Sequence, residues 1–109
     1  MIMSSKNLAK SWKEDRSGLS QATETLNLLS SPSRLQILCH LLENEELTVG
    51  QLLEQVDLSQ SALSQHLAKL RGTGLVETRK EQQRVYYRIA RYDIERLIGV
   101  LYDLYCRRA

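Results

Sequence analysis

Two residues, Asp57 and Leu58, are all that separates one helix signal from the next. Upstream, Thr48-Val-Gly-Gln51 has the form of a capping box, with Thr at the N-cap and Gln at N3. The short helix it opens turns Val49, Leu52, Leu53 and Val56 inward. Downstream, Ser59 is the next N-cap, with Leu58 before it and Leu63 at N4 as a hydrophobic staple. Helices joined by so short a turn must cross at a steep angle, which is helix-turn-helix geometry with the second helix as reader.

That second helix, residues 59–70, divides into two faces. Leu63, Leu67 and Leu70 recur at spacings of four and three, giving one buried stripe. Gln60, Ser61, Ser64 and Gln65 fall on the opposite side, with Lys69 further along. Most solvent-facing helices carry Glu and Lys at such positions. A stripe without acid can approach a polyanion, and Gln and Ser can bond base edges in a major groove. An uncharged polar surface helix would look the same, so the flanking segments decide.

Gly72-Thr-Gly74 ends the reader with residues that tolerate positive φ. Residues 75–80 and 84–90 are β-rich and bridged by Glu81-Gln82-Gln83, a hairpin without the Asn-Gly that would name its turn. Val85, Tyr87 and Ile89 alternate on one face, Arg84, Tyr86 and Arg88 on the other. A hairpin after a reading helix is a wing, and Arg79, Lys80 and Arg84 near its tip can reach phosphates or the minor groove. The alternative is a solvated charged hairpin.

Before this core, residues 19–30 are predicted helical, with Ala22, Leu26 and Leu29 on one stripe. Ser31-Pro32 restarts the chain as N-cap and first helical residue. That helix runs to about Glu43 with Leu35, Leu38, Leu41 and Leu42 inward, and Asn44-Glu45-Glu46 ends it. A last helix covers residues 93–106. Its stripe of Ile94, Leu97, Ile98, Leu101, Leu104 and Tyr105 is too wide for one flank of so small a domain, and Gly99 permits a close neighbour. The last helix and the helix of residues 19–30 are therefore expected to form a two-fold homodimer interface. Residues 1–18 are expected to be a flexible arm anchored by Trp12, and residues 19–109 one domain.

A net charge of +2 says little, but its distribution says more. From His66 onward ten Lys and Arg face five Asp and Glu; before it, five face eight. Basic charge gathers where the reading helix ends, which suits a dimer neutralising a few phosphates of double-stranded DNA per subunit. No apolar run approaches the ~18 residues of a membrane span, and the N-terminus has no signal-peptide core, so a cytoplasmic protein is expected. The chain has no Cys-x-x-Cys and its two cysteines stand 67 positions apart, which argues against a thiol–disulfide enzyme.

Three stretches carry a family resemblance: Ser31-Pro-Ser-Arg-Leu-Gln-Ile-Leu38, Leu58-Ser-Gln-Ser-Ala-Leu-Ser-Gln-His-Leu67 and Leu70-Arg-Gly-Thr-Gly-Leu-Val76. With the element order, they resemble the ArsR/SmtB repressors over residues 26–106. The resemblance implies a mainly α winged helix-turn-helix homodimer with a small β-hairpin that regulates transcription at an operator, as a repressor. The family's DNA-contacting positions fall on Gln60, Ser61, Ser64 and Gln65, with Arg84 in the wing. His66, next along, is a packed or capping group or else a phosphate contact.

Many such regulators sense metals. The segment that holds their thiolate-rich motif reads Leu47-Thr-Val-Gly-Gln-Leu-Leu53, without Cys or His. The terminal helix offers Asp93, Glu95 and Asp103 but no histidine, and His40 and His66 lie on different helices. Zn²⁺ and its neighbours want about four N or S ligands, so no metal site or other cofactor is expected. Cys39 and Cys106 would ordinarily be buried free thiols in a reducing cytoplasm. Their placement, however, is similar to the HlyU/BigR/SqrR subgroup, which implies a switch linking these two sulfurs, directly or through added sulfur, on exposure to persulfides or oxidants. Arg107 and Arg108 would favour thiolate at Cys106, and the C-terminal helix dipole opposes it. An ArsR-type regulator or anti-silencing activator without a thiol switch, and a metal sensor, are the alternatives. A winged-helix module for protein contacts is a further class, against which the acid-free stripe argues.

Overall fold

Residues 7–106 are described by the structure, a computed structural model. They fall into two compact units that divide after Ser30. The first holds α1 (Leu8–Glu14) and α2 (Arg16–Leu29). The second holds α3 (Pro32–Asn44), β1 (Leu47–Thr48), α4 (Val49–Gln55), α5 (Gln60–Gly72), β2 (Val76–Glu81), β3 (Arg84–Ile89) and α6 (Tyr92–Tyr105). Helix, helix-turn-helix, hairpin and terminal helix follow in the order the sequence predicts, as a winged helix-turn-helix. No described helix is long and apolar enough to cross a membrane.

The arm expected over residues 1–18 lies partly outside the described residues, and where it is described it is helical. In α1 no side chain is buried, and Trp12 is exposed, so it does not anchor this segment as expected. The second helix begins at Arg16, ahead of the expected Leu19. Asp15 is the reason: its carboxylate accepts from the Gly18 amide at 2.8 Å, and a glycine inside a first turn reads as a break in sequence.

The capping signals hold. Ser31 accepts from the Arg34 amide at 3.3 Å, with Pro32 at the first position of α3. Thr48 Oγ1 accepts from the Gln51 amide at 3.1 Å, and Gln51 Oε1 accepts from the Thr48 amide at 2.9 Å, completing the capping box. Ser59 Oγ accepts from the Ala62 amide at 3.1 Å to start α5. At the far end of α5 Gly74 takes φ of 84°. The Gly74 and Leu75 amides donate to the Arg71 and Leu70 carbonyls, a Schellman closure that turns the chain into β2.

The core of the second unit is Ile37, Leu38 and Leu41 from α3, Leu52 from α4, Leu63, Leu67 and Leu70 from α5, Leu75 and Val76 beside the hairpin, and Ile94 and Ile98 from α6. Ile37 belongs to it, whereas Leu35 and Leu42, expected inward, are only half-buried. Two details of the sheet differ from expectation. Leu47–Thr48 forms a third strand, pairing Leu47 with Tyr87 and Thr48 with Tyr86, so the order is β1-β3-β2. Two residues are too few for an alternation pattern to show. Glu81 pairs with Arg84, leaving only Gln82 and Gln83 in the turn, with Gln82 at φ of 58°.

Candidate nucleic-acid interface and thiol pair

Helix α5 presents the exposed polar ridge that its pattern predicts. Gln60, Ser61, Ser64, Gln65 and Lys69 are all exposed on α5, while Leu63, Leu67 and Leu70 hold its opposite face against α3, α4 and β2. Steps of four and three residues keep the leucines on the core side and so commit the polar set to solvent. His66 is half-buried between the two faces.

The three basic residues assigned to the wing part company. Lys80 and Arg84 are exposed next to the turn and make no ion pair among the described residues. Arg84 borders an open groove of about 620 Å³ between the wing tip and the start of α4. Arg79 is engaged within its own protomer. Its Nε donates to Glu46 Oε2 at 2.9 Å and its Nη1 to Glu81 Oε1 at 2.7 Å, and a further Nη2 bond reaches Glu46. Its guanidinium also lies 4.5 Å from the centroid of the Tyr86 ring, the cross-strand neighbour. With two carboxylates on one guanidinium, Arg79 ties the wing to the segment between α3 and β1 instead of offering an unanswered charge. A phosphate contact, the role expected of it, would have to compete with these two carboxylates. Glu46 stands 33 positions from Arg79, so the contact had no signal in local pattern. The hydrogen bond from Arg79 holds the Glu46 carboxyl below its ordinary pKa. Further along the hairpin, Arg88 donates to Glu77 at 2.7 Å.

The two cysteines are free thiols, and both are exposed rather than buried. Cys39 lies on α3 and Cys106 caps α6, and the packing of α3 on α6 brings them into electrostatic range. Partial burial pushes the Cys39 thiol pKa up, and the neighbouring Cys106 and Glu43 push it further. Beside Cys39, a cleft of about 260 Å³ is walled by Leu42, Glu43, Ile98 and Tyr102. Glu43 and Tyr102 were not singled out in the sequence, since neither belongs to a motif. Arg107 and Arg108, invoked for thiolate stabilisation at Cys106, lie outside the described residues. Among the described residues no group of three or more His, Cys, Asp or Glu is placed to hold a metal ion.

On α6 the apolar stripe continues onto solvent. Ile94 and Ile98 are buried, but Val100, Tyr102, Leu104 and Tyr105 are exposed, Tyr105 by 68%.

Comparison with known proteins agrees with this architecture. A family model described as bacterial regulatory protein, arsR family, matches residues 31–78. The transcriptional activator HlyU of Vibrio cholerae is 51% identical over 87 residues, covering 80% of each chain. The solved structure of reduced HlyU from that organism matches with a TM-score of 0.80 and 47% identity, over 87% of this chain and 99% of that one. The transcriptional repressor BigR from Xylella fastidiosa matches with a TM-score of 0.77 and 32% identity, over 92% and 98%. On this similarity, which spans most of both chains, the protein belongs to the ArsR family of bacterial regulatory proteins.

Proposed function

We propose that this chain is a DNA-binding transcriptional regulator, working as a homodimer, whose operator affinity is set by the state of Cys39 and Cys106. The observation that carries the proposal is a coincidence within one protomer. An exposed, acid-free ridge stands on α5, and two solvent-accessible thiols stand on α3 and at the end of α6, with Cys106 in electrostatic range of Cys39. Gln60, Ser61, Ser64 and Gln65 would read base edges in a major groove, and Lys69, Lys80 and Arg84 would contact phosphates. Arg79 would act one step back, by fixing the wing that carries Lys80 and Arg84.

The exposed apolar face of α6, and Leu26 on α2, are the surfaces offered to a second copy. A dimer must hold its reading helices about 34 Å apart to meet successive grooves. Persulfides or oxidants that link Cys39 to Cys106 tie α3 to α6, the helix that bears this surface, and so change that separation. A coupling of ~1–3 kcal/mol would change affinity roughly 5–150-fold.

The test begins by selecting a binding duplex from a randomised pool with reduced protein. Its affinity is then measured for reduced, persulfide-treated and peroxide-treated protein, and for Cys39→Ser and Cys106→Ser. Treatment should weaken binding by the unsubstituted protein and leave both variants unaffected. Equal binding in all states removes the switch, and no salt-dependent binding at all removes the DNA-binding reading. Repression is the sign proposed. Activation is the second reading, favoured by 51% identity to a protein named as an activator, and promoter fusions in a deletion strain separate the two.

A further inference from the structure

This inference rests on the DNA-binding reading above, in which Arg84 contacts phosphate, and concerns how that arginine is kept available. The sheet register puts Arg79, Glu81, Arg84 and Tyr86 on one face of the wing, with Arg79 across from Tyr86 and Glu81 across from Arg84. Opposite charges directly across two strands ordinarily pair with each other. Here they do not. The Glu81 carboxylate accepts instead from Arg79 Nη1 at 2.7 Å, two residues back on its own strand, and Arg84 makes no ion pair among the described residues. Glu46 sets Arg79 for this contact by accepting from its Nε at 2.9 Å and from its Nη2, while the Tyr86 ring packs on the guanidinium. Glu46 itself arrives through a three-residue turn, in which Glu45 takes φ of 69° and the Glu46 amide donates to the Asn44 carbonyl at 2.8 Å. Such a φ is costly for a residue with a side chain and persists where surrounding contacts hold it.

We propose that Arg79 is a positioning residue that keeps Arg84 free for DNA by holding Glu81 away from it. The wing then meets the duplex with Lys80 and Arg84 unanswered and the acid beside its turn already bonded. Without Arg79, the cation that faces Glu81 is Arg84, because Lys80, its neighbour in sequence, points to the other face of the strand. A Glu81–Arg84 pair must be broken before Arg84 can meet a phosphate. An exposed pair of this kind shifts an equilibrium by about 1.4- to 5-fold, and the proposed dimer bears two wings, so loss of Arg79 should weaken binding by up to about 25-fold. This role is distinct from steadying the wing. The brace acts through Glu46, and the release of Arg84 acts through Glu81.

The experiment uses full-length reduced protein and the duplex selected with it, and reads affinity across a series of salt concentrations. Arg84→Gln is the reference for a lost wing contact. It should weaken binding and flatten the slope of log affinity against log salt by about one per subunit. Arg79→Gln should move both quantities toward those of Arg84→Gln, and in an Arg84→Gln background it should cost nothing further. Adding Glu81→Gln to Arg79→Gln should restore both, since no carboxylate is then left across from Arg84. Glu81→Gln alone should stay within about twofold of the parent, because Arg79 already holds that charge. Arg79→Gln with Glu77→Gln has the same net charge but removes the acid bonded to Arg88, and it should restore neither. Rescue by both pairs means a general field, and rescue by neither means that Arg79 touches phosphate or only braces the wing. Each of these overturns the proposal. Arg79 is exposed, so the variants should fold, which circular-dichroism melts check. Parent-like binding by Arg84→Gln removes the wing contact and this inference with it. A weakened Arg84→Gln without the selective rescue removes this inference alone and leaves the DNA-binding reading standing.

Discussion

Leu67 and Gln65 are two positions apart on α5, yet their loss should damage different properties. Leu67 is 1% exposed, packed in a core that includes Leu63, Leu70 and Ile37, whereas Gln65 projects into solvent. Truncating a buried leucine removes its transfer free energy and leaves a cavity, at a cost of about 2–5 kcal/mol. In a domain of this size each 1 kcal/mol moves Tm by roughly 4–8 °C, so Leu67→Ala should melt about 8–40 °C lower. Gln65→Ala removes no buried contact and should stay within about 0.5 kcal/mol of the parent. On DNA the order reverses. A side chain bonded to a base edge contributes about 1–3 kcal/mol of discrimination, so Gln65→Ala should weaken binding to the selected duplex about 5–150-fold. Measured well below its own Tm, Leu67→Ala should keep most of its affinity. Circular-dichroism melts and fluorescence anisotropy, run on both variants, give the comparison. Parent-like affinity in Gln65→Ala, or a melting point that falls as far as that of Leu67→Ala, would refute the division of α5 into a core face and a reading face.

Other consequences can be checked with the same material. Ser59→Ala removes the acceptor for the Ala62 amide and should cost about 1 kcal/mol, read from denaturant midpoints at constant slope, while Ser59→Gly should cost less. The carboxyls of Glu46 and Asp93 are held below their ordinary pKa, chiefly by hydrogen bonds from Arg79 and Arg91. The stability they contribute is present above the unfolded carboxylate pKa and is lost as pH falls through the depressed folded values. Acid titrations of stability should therefore be shallower in Glu46→Gln than in the parent, and parallel slopes would contradict the pairing. For Cys39 the sign is opposite, since its folded pKa is raised and the neutral thiol is favoured until more alkaline pH. In Cys106→Ser protein the alkylation rate of Cys39 should rise with a midpoint above that of the same thiol in denaturant, where burial no longer opposes ionisation.

Local grammar explains why so much of the architecture was legible. Ser31-Pro32, Thr48-x-x-Gln51, Ser59 and Gly74 each work through atoms a few residues away, so they act before any tertiary contact exists. The leucine period on α5 likewise needs only helical geometry to separate its two faces. Wherever the partner is distant, legibility fails. β1 is two residues long and is a strand only because Tyr86 and Tyr87 lie beside it. The Asp15 cap of α2 is local, yet the glycine it bonds reads as a terminator and hides the helix start.

The same division runs through the candidate sites. Which residues form the exposed ridge of α5 was determined by sequence alone, because burying Leu63, Leu67 and Leu70 leaves the polar set nowhere else to go. Tertiary structure alone decided which of the wing's cations are available, by bringing Glu46 to Arg79 and leaving Lys80 and Arg84 unpaired among the described residues. It also decided that Cys39 and Cys106 share one neighbourhood and that Ile98 and Tyr102 of α6 wall the cleft beside the first of them. The physical reason is range: capping and periodicity act within a turn or two of helix, whereas the charge that a side chain meets depends on which helix packs against its own.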